Sequence, residues 1–195
     1  MDFGTLKSRV LALIGRAPAD VCYELVTADI NQEVRLAAME TSTTLVESAT
    51  ITLPDDFLQV VSIYRDVNPR TILRPLTAQA LQGVFQTSGI PQFYDVENGQ
   101  LRLSPSPNGS ENLILRYYAK LADLSGDDDT NAVLTTYPAI YVYGVLTHHA
   151  ALIRDQEAAA IWLAGYEKAK RQARAADNRL RGGGAPIEPV ARATA

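Results

Sequence analysis

A segment in the middle of the chain, QFYDVENGQLRLSPSPNGSENLILRYYAKL, constrains the fold more than any other. Asn98-Gly99 predicts a two-residue hairpin turn, because both central positions of a type I′ turn need a positive φ. That turn sets a register with apolar pairs on one side and a charged pair on the other: Val96 with Leu101, Tyr94 with Leu103, and Asp95 with Arg102. A half-buried antiparallel hairpin is expected to show this alternation.

Strand patterns also lie on both sides of the hairpin. TSTTLVESATITLP is rich in Thr and Val and favours strands. FLQVVSIYRD is apolar on both faces, with Phe57, Val61 and Ile63 expected on one, which predicts an interior strand. Another strand is expected to place five residues on one face: Leu113, Leu115, Tyr117, Ala119 and Leu121. Between them, RPLTAQALQGVFQ predicts a short helix capped by Thr77.

Apolar residues at helical spacing are found towards both ends of the chain. A short helix is expected before Gly15, on a face with Leu6, Val10, Leu13 and Ile14, and a second from Asp20 to about Met39. Two further helices are predicted after the acidic loop, with a break near Asp155. The first is apolar almost all round, so it should be packed on several sides, with Gly144 allowing close approach. The second has a stripe of mostly small residues: Ala158, Ile161, Trp162, Gly165, Ala169, Ala173, Ala176 and Leu180.

The order helices, strands, helices predicts an α+β fold, in which a bundle of the N-terminal and C-terminal helices packs with an antiparallel β-meander or sandwich. Four regions are expected. They are N-terminal helices at 1–40, a β-rich region with one short helix at 41–125, a C-terminal helix pair at 135–181 that packs with the N-terminal helices, and an extended docking tail at 182–195.

The tail, RGGGAPIEPVARATA, follows a basic helix end. Its glycines predict a hinge, and ordering a hinge costs conformational entropy that a contact must offset. Ile187 and Val190 are three residues apart, as on one side of a polyproline-type segment, and such segments dock in grooves or on sheet edges. The predicted partner-docking residues are Arg179, Leu180, Arg181, Ile187, Val190 and Arg192.

Composition narrows the class of protein. The formal net charge is −4, so free nucleic acid is not the expected main partner. Basic residues do gather on the last helix, and they leave open a nucleic-acid-binding function: Lys168, Lys170, Arg171, Arg174, Arg179 and Arg181. The single cysteine, Cys22, excludes an internal disulfide and is expected to be a small buried apolar residue. No signal peptide or membrane span is predicted.

The sequence contains no motif that indicates a class of enzyme. His148-His149 cannot bind one metal together, because neighbouring helical residues point about 100° apart. Asp127, Asp129 and Asn131 match the start of a calcium loop, but Ala132 stands where that loop needs glycine and Pro138 where it needs an acid. A solvated loop is expected, with a weak ion site left open. No nucleotide motif or nucleophile elbow occurs, so a non-enzyme without cofactor or metal is expected.

The middle and end of the chain resemble the head–tail adaptor, or connector, proteins of tailed bacteriophages, particularly the tail-tubular-protein-A type. Three stretches between about residues 20 and 175 carry the resemblance in their order and spacing. They are AAMETSTTLVESATITLPDDFLQVVSIYRD, GIPQFYDVENGQLRLSPSPNG, and LRYYAKLADLS with the following helix pair NAVLTTYPAIYVYGVLTHHAALIRDQEAAAIWLAGYEKA.

The resemblance implies a virion structural protein at the neck, made in the cytoplasm of the bacterial host. Such adaptors form a ring, usually a dodecamer, that joins the portal to the tail, nozzle or tail-completion protein. Packaged DNA passes through the ring without specific binding, and the C-terminal segments commonly reach onto the portal. The alternatives are another neck or tail-completion protein, a nucleic-acid-binding protein that uses the basic last helix, and an enzyme with a site near Tyr117, Tyr141 and His148.

Overall fold

The computed structural model describes residues 1–77, 79–80 and 88–182. The chain divides into two compact units. The helical unit comprises Met1–Ala38 and Leu121–Ala195, and the β unit comprises Met39–Lys120. Helices and largely antiparallel strands are both abundant, so the predicted α+β class is confirmed.

The helical unit contains five α-helices among the described residues. They are α1 Phe3–Ile14, α2 Val21–Glu33, α3 Ala132–Thr136, α4 Pro138–Leu152 and α5 Gln156–Gly182. A short 3-10 helix, Ala37–Met39, follows α2 at the boundary of the unit. None of the described helices combines the length and the apolar composition that a membrane span requires.

Helix α4 lies at the centre of the helical unit and packs against α1, α2, α3 and α5. Gly144 lets two neighbours approach it closely, since a Cβ there would lie 2.9 Å from Val26 and 3.2 Å from Tyr166. The prediction of a helix packed on several sides is confirmed. Cys22, which is 1 % exposed, is buried in α2 as expected.

The helix ends follow local signals with two exceptions. Gly15, at φ 71°, ends α1, and Asp155 accepts a hydrogen bond from the Ala158 backbone N–H, 3.0 Å away, at the start of α5. The prediction that α2 extends to Met39 is wrong, because Val34 adopts an extended backbone and the helix ends at Glu33. Asp20 precedes α2, but its side chain makes no capping hydrogen bond.

The β unit contains ten described strands: β1 Glu40–Val46, β2 Thr50–Thr52, β3 Phe57–Arg65, β4 Thr71–Ile72, β5 Arg74–Pro75, β6 Ser88–Gly89, β7 Phe93–Glu97, β8 Gln100–Ser104, β9 Ser106–Pro107 and β10 Asn112–Ala119. They form sheets in the orders β1-β10-β3-β4, β2-β8-β7-β5 and β6-β9. Pairing is antiparallel except between β5 and β7 and between β6 and β9. The predicted short helix lies mostly outside the described residues, although Thr77 accepts the expected bond from the Ala80 N–H at 3.3 Å.

The hairpin of β7 and β8 has the predicted turn and register. Asn98 and Gly99 have φ values of 51° and 72°. The predicted register is present: Val96 lies opposite Leu101, Tyr94 opposite Leu103, and Asp95 opposite Arg102. Arg102 forms its ion pair with Glu97 rather than with Asp95. Leu101 and Leu103 are buried in the core of the β unit, together with Leu113, Leu115 and Tyr117 of β10. Alternation therefore identified the core face of both segments.

The prediction for the faces of β3 is partly wrong. Its pairing with β10 contains two register shifts, and Val61 and Leu58 have no partner in the ladder. Each extra residue reverses the alternation. Ile63 is buried in the core, and Phe57 and Val60, rather than Val61, pack against it. β3 is an interior strand of its sheet, since it lies between β10 and β4, but Ile63 is its one buried residue, so coverage of both faces is not confirmed.

Candidate interaction surface

The predicted docking residues divide into two groups. Ile187, Val190 and Arg192 lie outside the described residues. Arg179, Leu180 and Arg181 lie on the last turns of α5. Leu180 is 76 % exposed, so this end of α5 presents an uncovered apolar side chain beside two guanidinium groups.

The end of α5 is anchored by a buried carboxylate that sequence analysis did not identify. Asp177 is 4 % exposed, and its Oδ1 accepts a hydrogen bond from the backbone N–H of Ala37 at 2.7 Å. Its Oδ2 accepts from Arg181 Nε at 2.8 Å. The only sequence signal was the i,i+4 spacing of Asp177 and Arg181 on one helix face. These bonds hold the last turns of α5 to the Ala37 backbone.

A second buried charge, Lys170, removes part of the predicted basic surface. The side chain is 5 % exposed, and its Nζ lies 2.7 Å from carboxylate oxygens of both Glu33 and Glu167. Burial acts to lower the pKa of Lys170, but the hydrogen bonds to Glu167 and Glu33 raise it above its ordinary value. Arg174 Nη2 also donates to the Glu33 carbonyl at 2.9 Å. Lys170 and Arg174 are therefore bonded within the helical unit.

Four exposed basic residues of α5 have no ion pair among the described residues: Lys168, Arg171, Arg174 and Arg179. Arg174 and Arg179 donate hydrogen bonds to the backbone carbonyls of Glu33 and Ala175. Lys168 and Arg171 are the exposed cations of α5 with no polar partner among the described residues, which is a small footprint for nucleic acid, whose backbone needs a continuous basic patch. The geometry of α5 therefore favours a protein-docking helix over the nucleic-acid-binding alternative.

An apolar groove opens between α1, α4 and α5. It has a volume of about 440 Å³ and is lined by Arg9, Ala12, Leu13, Ala139, Val142, Tyr143 and Trp162. The Tyr143 and Trp162 rings lie 6.2 Å apart. Gly165 allows this arrangement, because a Cβ there would lie 2.8 Å from Tyr143. An uncovered apolar groove on a folded unit is typical of a protein-binding surface.

The prediction for the α5 stripe is partly wrong. Ala169 and Ala173 are buried as expected, but Ile161 and Leu180 are 61 % and 76 % exposed. Leu13, assigned to the inner face of α1, is 54 % exposed. The buried residues of α5 are instead Tyr166, Ala169, Lys170, Ala173 and Asp177. The sequence prediction considered only apolar residues as candidates for the buried face. It therefore left out the buried charged residues Lys170 and Asp177 and included the exposed Ile161 and Leu180.

The two adjacent histidines contact different partners. His148 Nε2 lies 2.8 Å from Asp29 Oδ2. His149, which is 6 % exposed, accepts a hydrogen bond from Arg16 Nε at 3.1 Å. Burial, and then the positive charge of Arg16, lower the pKa of His149, so its imidazole is held neutral. They serve separate contacts, as expected from their spacing.

The residues of the calcium-like loop also have separate contacts. Asp129 Oδ2 accepts hydrogen bonds from the Gly126 backbone N–H at 2.7 Å and from the backbone N–H and hydroxyl of Ser125 at 2.8 and 3.0 Å. These bonds, the one from Gly126 first, lower the pKa of Asp129. Asp127 pairs with Lys7 at 2.8 Å. Asn131 caps α3. Over the described ranges, no three His, Cys, Asp or Glu side chains are grouped as metal ligands.

The tyrosines of the enzyme alternative have structural partners in their own units. Tyr117 donates a hydrogen bond to Asp56 at 2.9 Å, and burial together with Asp56 raises the pKa of Tyr117 to about 12. The Tyr141 hydroxyl is bonded to Thr27 and Asn131, and burial raises the pKa of Tyr141. Neither phenol is adapted to exchange a proton near neutral pH.

A family model described as SU10 adaptor protein matches residues 1–189. The match spans both the helical unit and the β unit, and it includes most of the tail. No curated protein matches the chain significantly.

Proposed function

The chain belongs to the SU10 adaptor protein family, and on that premise we propose that it forms a ring that joins the portal to the tail of a bacteriophage and lets DNA pass. Family membership supports a head–tail adaptor, a structural component of the virion that interacts with portal and tail proteins. It implies a structural rather than an enzymatic role.

The finer features of the proposal are a dodecameric ring at the neck and an architecture of the tail-tubular-protein-A type. The nearly full-length family match is the observation that carries the proposal. The apolar groove and the exposed Leu13 and Ile161 support it, because such surfaces are normally covered in an assembly. A closed ring needs two different surfaces on each subunit, since its contacts are heterologous.

The direct test is reconstitution with portal particles. Purified protein is mixed with portal dodecamers, and the particles are viewed by electron microscopy before and after addition of the adaptor. We expect an additional ring on one end of the portal, with the same axis. Protein that stays monomeric and leaves the portal particles unchanged would contradict the proposal.

Within this proposal, the tail residues 182–195 dock on a neighbouring subunit or on the portal. The anchored end of α5 supports this, because Asp177 and Arg181 hold the last helical turns and Leu180 is left uncovered where the tail begins. Ile187 and Val190 would be the apolar anchors, with Arg179, Arg181 and Arg192 near acidic groups of the partner. Arginine suits such contacts because its fork of donors matches a carboxylate.

The tail proposal is tested by ending the chain after Arg181. The truncated protein retains the Asp177 contacts, so we expect its thermal unfolding to match that of the full chain, while its attachment to portal particles falls. A variant with Ile187→Asp and Val190→Asp should reproduce the loss without shortening the chain. Attachment at the full-chain level in both variants would refute the docking role of the tail.

A further inference from the structure

Helix α2 carries an exposed face that is acidic at one end and apolar along its length. Asp20 and Glu24 are exposed and lie one turn apart. Val21 and Leu25, beside them, are 43 % and 44 % exposed, and Ala28 extends the apolar row. Among the described residues, neither Asp20 nor Glu24 forms an ion pair. We call this surface the acidic face.

Helix α5 carries an exposed face of the opposite charge. Ile161, Ala164, Lys168 and Arg171 follow one another at helical spacing and are all exposed. Ile161 is 61 % exposed, so a large apolar side chain lies uncovered on this face. The two cations have no ion-pair partner in the part of the chain that the structure describes. We call this surface the basic face.

The two faces are complementary in charge and in the order of their charged and apolar groups when the helices run antiparallel. On α2 the acidic pair precedes Leu25 and Ala28, whereas on α5 Ile161 and Ala164 precede the basic pair. At 1.5 Å per residue, the charged and apolar centres are about 7 Å apart on α2 and about 10 Å apart on α5. An antiparallel crossing sets acid against base and apolar against apolar. A parallel crossing sets the cations against Leu25 and Ala28.

We propose that the acidic face of one subunit binds the basic face of the next, and that this contact closes the adaptor ring. The inference rests on the proposed ring and assigns its surfaces. The occupant is a second copy of this chain because each subunit supplies both halves of the contact, and a contact between two different faces is the heterologous type that generates rings. The apolar residues supply burial, and the charges fix register and exclude a face-to-same-face dimer.

The test uses two charge-reversed variants. The acid-reversed variant has Asp20→Lys with Glu24→Lys, and the base-reversed variant has Lys168→Glu with Arg171→Glu. Each variant carries the same sign on both faces, so we expect self-assembly to need at least about tenfold more protein than the wild type. Assembly is measured by mass photometry at low salt, alone and on portal particles. Circular dichroism checks that each variant is folded.

Mixing the two variants is the decisive measurement. In the mixture, the basic α2 face of one variant meets the acidic α5 face of the other, and the remaining two faces are also complementary. Assembly should therefore return, in rings in which the two variants alternate. A quadruple variant that combines all four substitutions should assemble by itself, since its charges are exchanged rather than opposed.

A control matched to the acid-reversed variant carries Asp55→Lys with Glu111→Lys, which gives the same change in net charge at two exposed positions of the β unit, which carries neither face. It should assemble like the wild type. Reversed variants that assemble like the control, or a mixture that fails to assemble, would overturn the inference and leave the ring proposal standing. A wild type that does not assemble, alone or on portal particles, would refute the ring and with it this contact.

Discussion

The β unit has a core of apolar side chains, whereas the helical unit mixes polar groups into its interior. Among the described residues, Glu47 and Ser104 are the buried polar side chains of the β unit. The helical unit buries five: Thr27, Asn131, His149, Lys170 and Asp177. It also leaves nine large apolar side chains exposed, against four in the β unit. The helical unit is therefore the part of the molecule whose surface is better suited to being covered by partners.

The largest expected effect tests the apolar core of the β unit. Leu115 is fully buried, and Leu115→Ala should lower the free energy of unfolding by about 3 kcal/mol, because it removes apolar contacts and leaves a cavity. Urea unfolding measures the change. Ile72, which is 70 % exposed in the same unit, is the control, and Ile72→Ala should cost less than about 0.5 kcal/mol. Equal costs would show that the β unit is not stabilised by a buried apolar core.

The next effect tests the close helix packing around α4. Gly144→Val places atoms where Val26 and Tyr166 already lie, so it should destabilise the protein by about 2–3 kcal/mol. Gly109→Ala, at a glycine with no heavy atom within 4 Å of its built Cβ, is the control and should be nearly neutral. Thermal denaturation followed by circular dichroism compares them. A neutral Gly144→Val would show that α4 is not packed as tightly as described.

A third prediction concerns the polar interior of the helical unit. Asn131 Nδ2 donates to the Tyr141 hydroxyl at 2.7 Å, and Asn131 Oδ1 accepts from the Leu134 N–H at 2.9 Å. Asn131→Ala removes a helix cap and a buried hydrogen bond and should cost about 2 kcal/mol. Asp155→Ala removes an exposed cap and should cost about 1 kcal/mol. If chemical denaturation gives the reverse order, the polar interior contributes less than inferred.

A smaller effect is expected from His149 as the pH falls. Its pKa is lowered in the folded state, so between that value and the ordinary value of 6.5 the unfolded chain binds more protons. The stability from neutral His149 is therefore complete above about pH 6.5 and is lost as the pH falls toward the folded pKa. Melting temperatures from pH 8 to pH 5 should fall less for His149→Gln than for the wild type. Identical pH profiles would show that His149 titrates normally.

The smallest effect is expected for DNA. Because Lys170, Arg174 and Arg181 are bonded within the helical unit, DNA affinity should be weaker than about 1 μM at physiological salt. The base-reversed variant should lower the affinity little. Gel-shift titrations at several salt concentrations measure both. Nanomolar affinity that falls steeply with salt would support the nucleic-acid-binding alternative instead.

The β unit was the more predictable part of the fold because its signals are local. A turn at Asn98-Gly99 sets the register of β7 and β8, and alternation then assigns every side chain of the hairpin to a face. The failures in this unit occur at Leu58 and Val61, where register shifts reverse the alternation. Bulges depend on how a neighbouring strand pairs, and no residue type in β3 indicates their positions.

The candidate surface was less predictable than the core. Periodicity assigned Ile161 and Leu180 to the inner face of α5, since an apolar residue is usually buried, but both are exposed. Lys170 was counted among the surface basic residues and Asp177 was not identified, yet both are buried, because Glu33, Glu167 and the Ala37 N–H supply their partners. Glu33 and Ala37 are distant from α5 in the sequence. Glu167 is close to Lys170, but its role depends on which side of α5 is covered.

The amino-acid sequence by itself determined the α+β class, the hairpin register, most helix ends and the central position of α4, because these follow from spacing, turn residues and caps within a few residues. Only the tertiary structure decided which face of α5 is buried, which of its cations are exposed, and where the apolar groove opens. Burial of a charge depends on a partner that the fold brings within hydrogen-bond distance, and such a partner has no signature at the position of the charge itself.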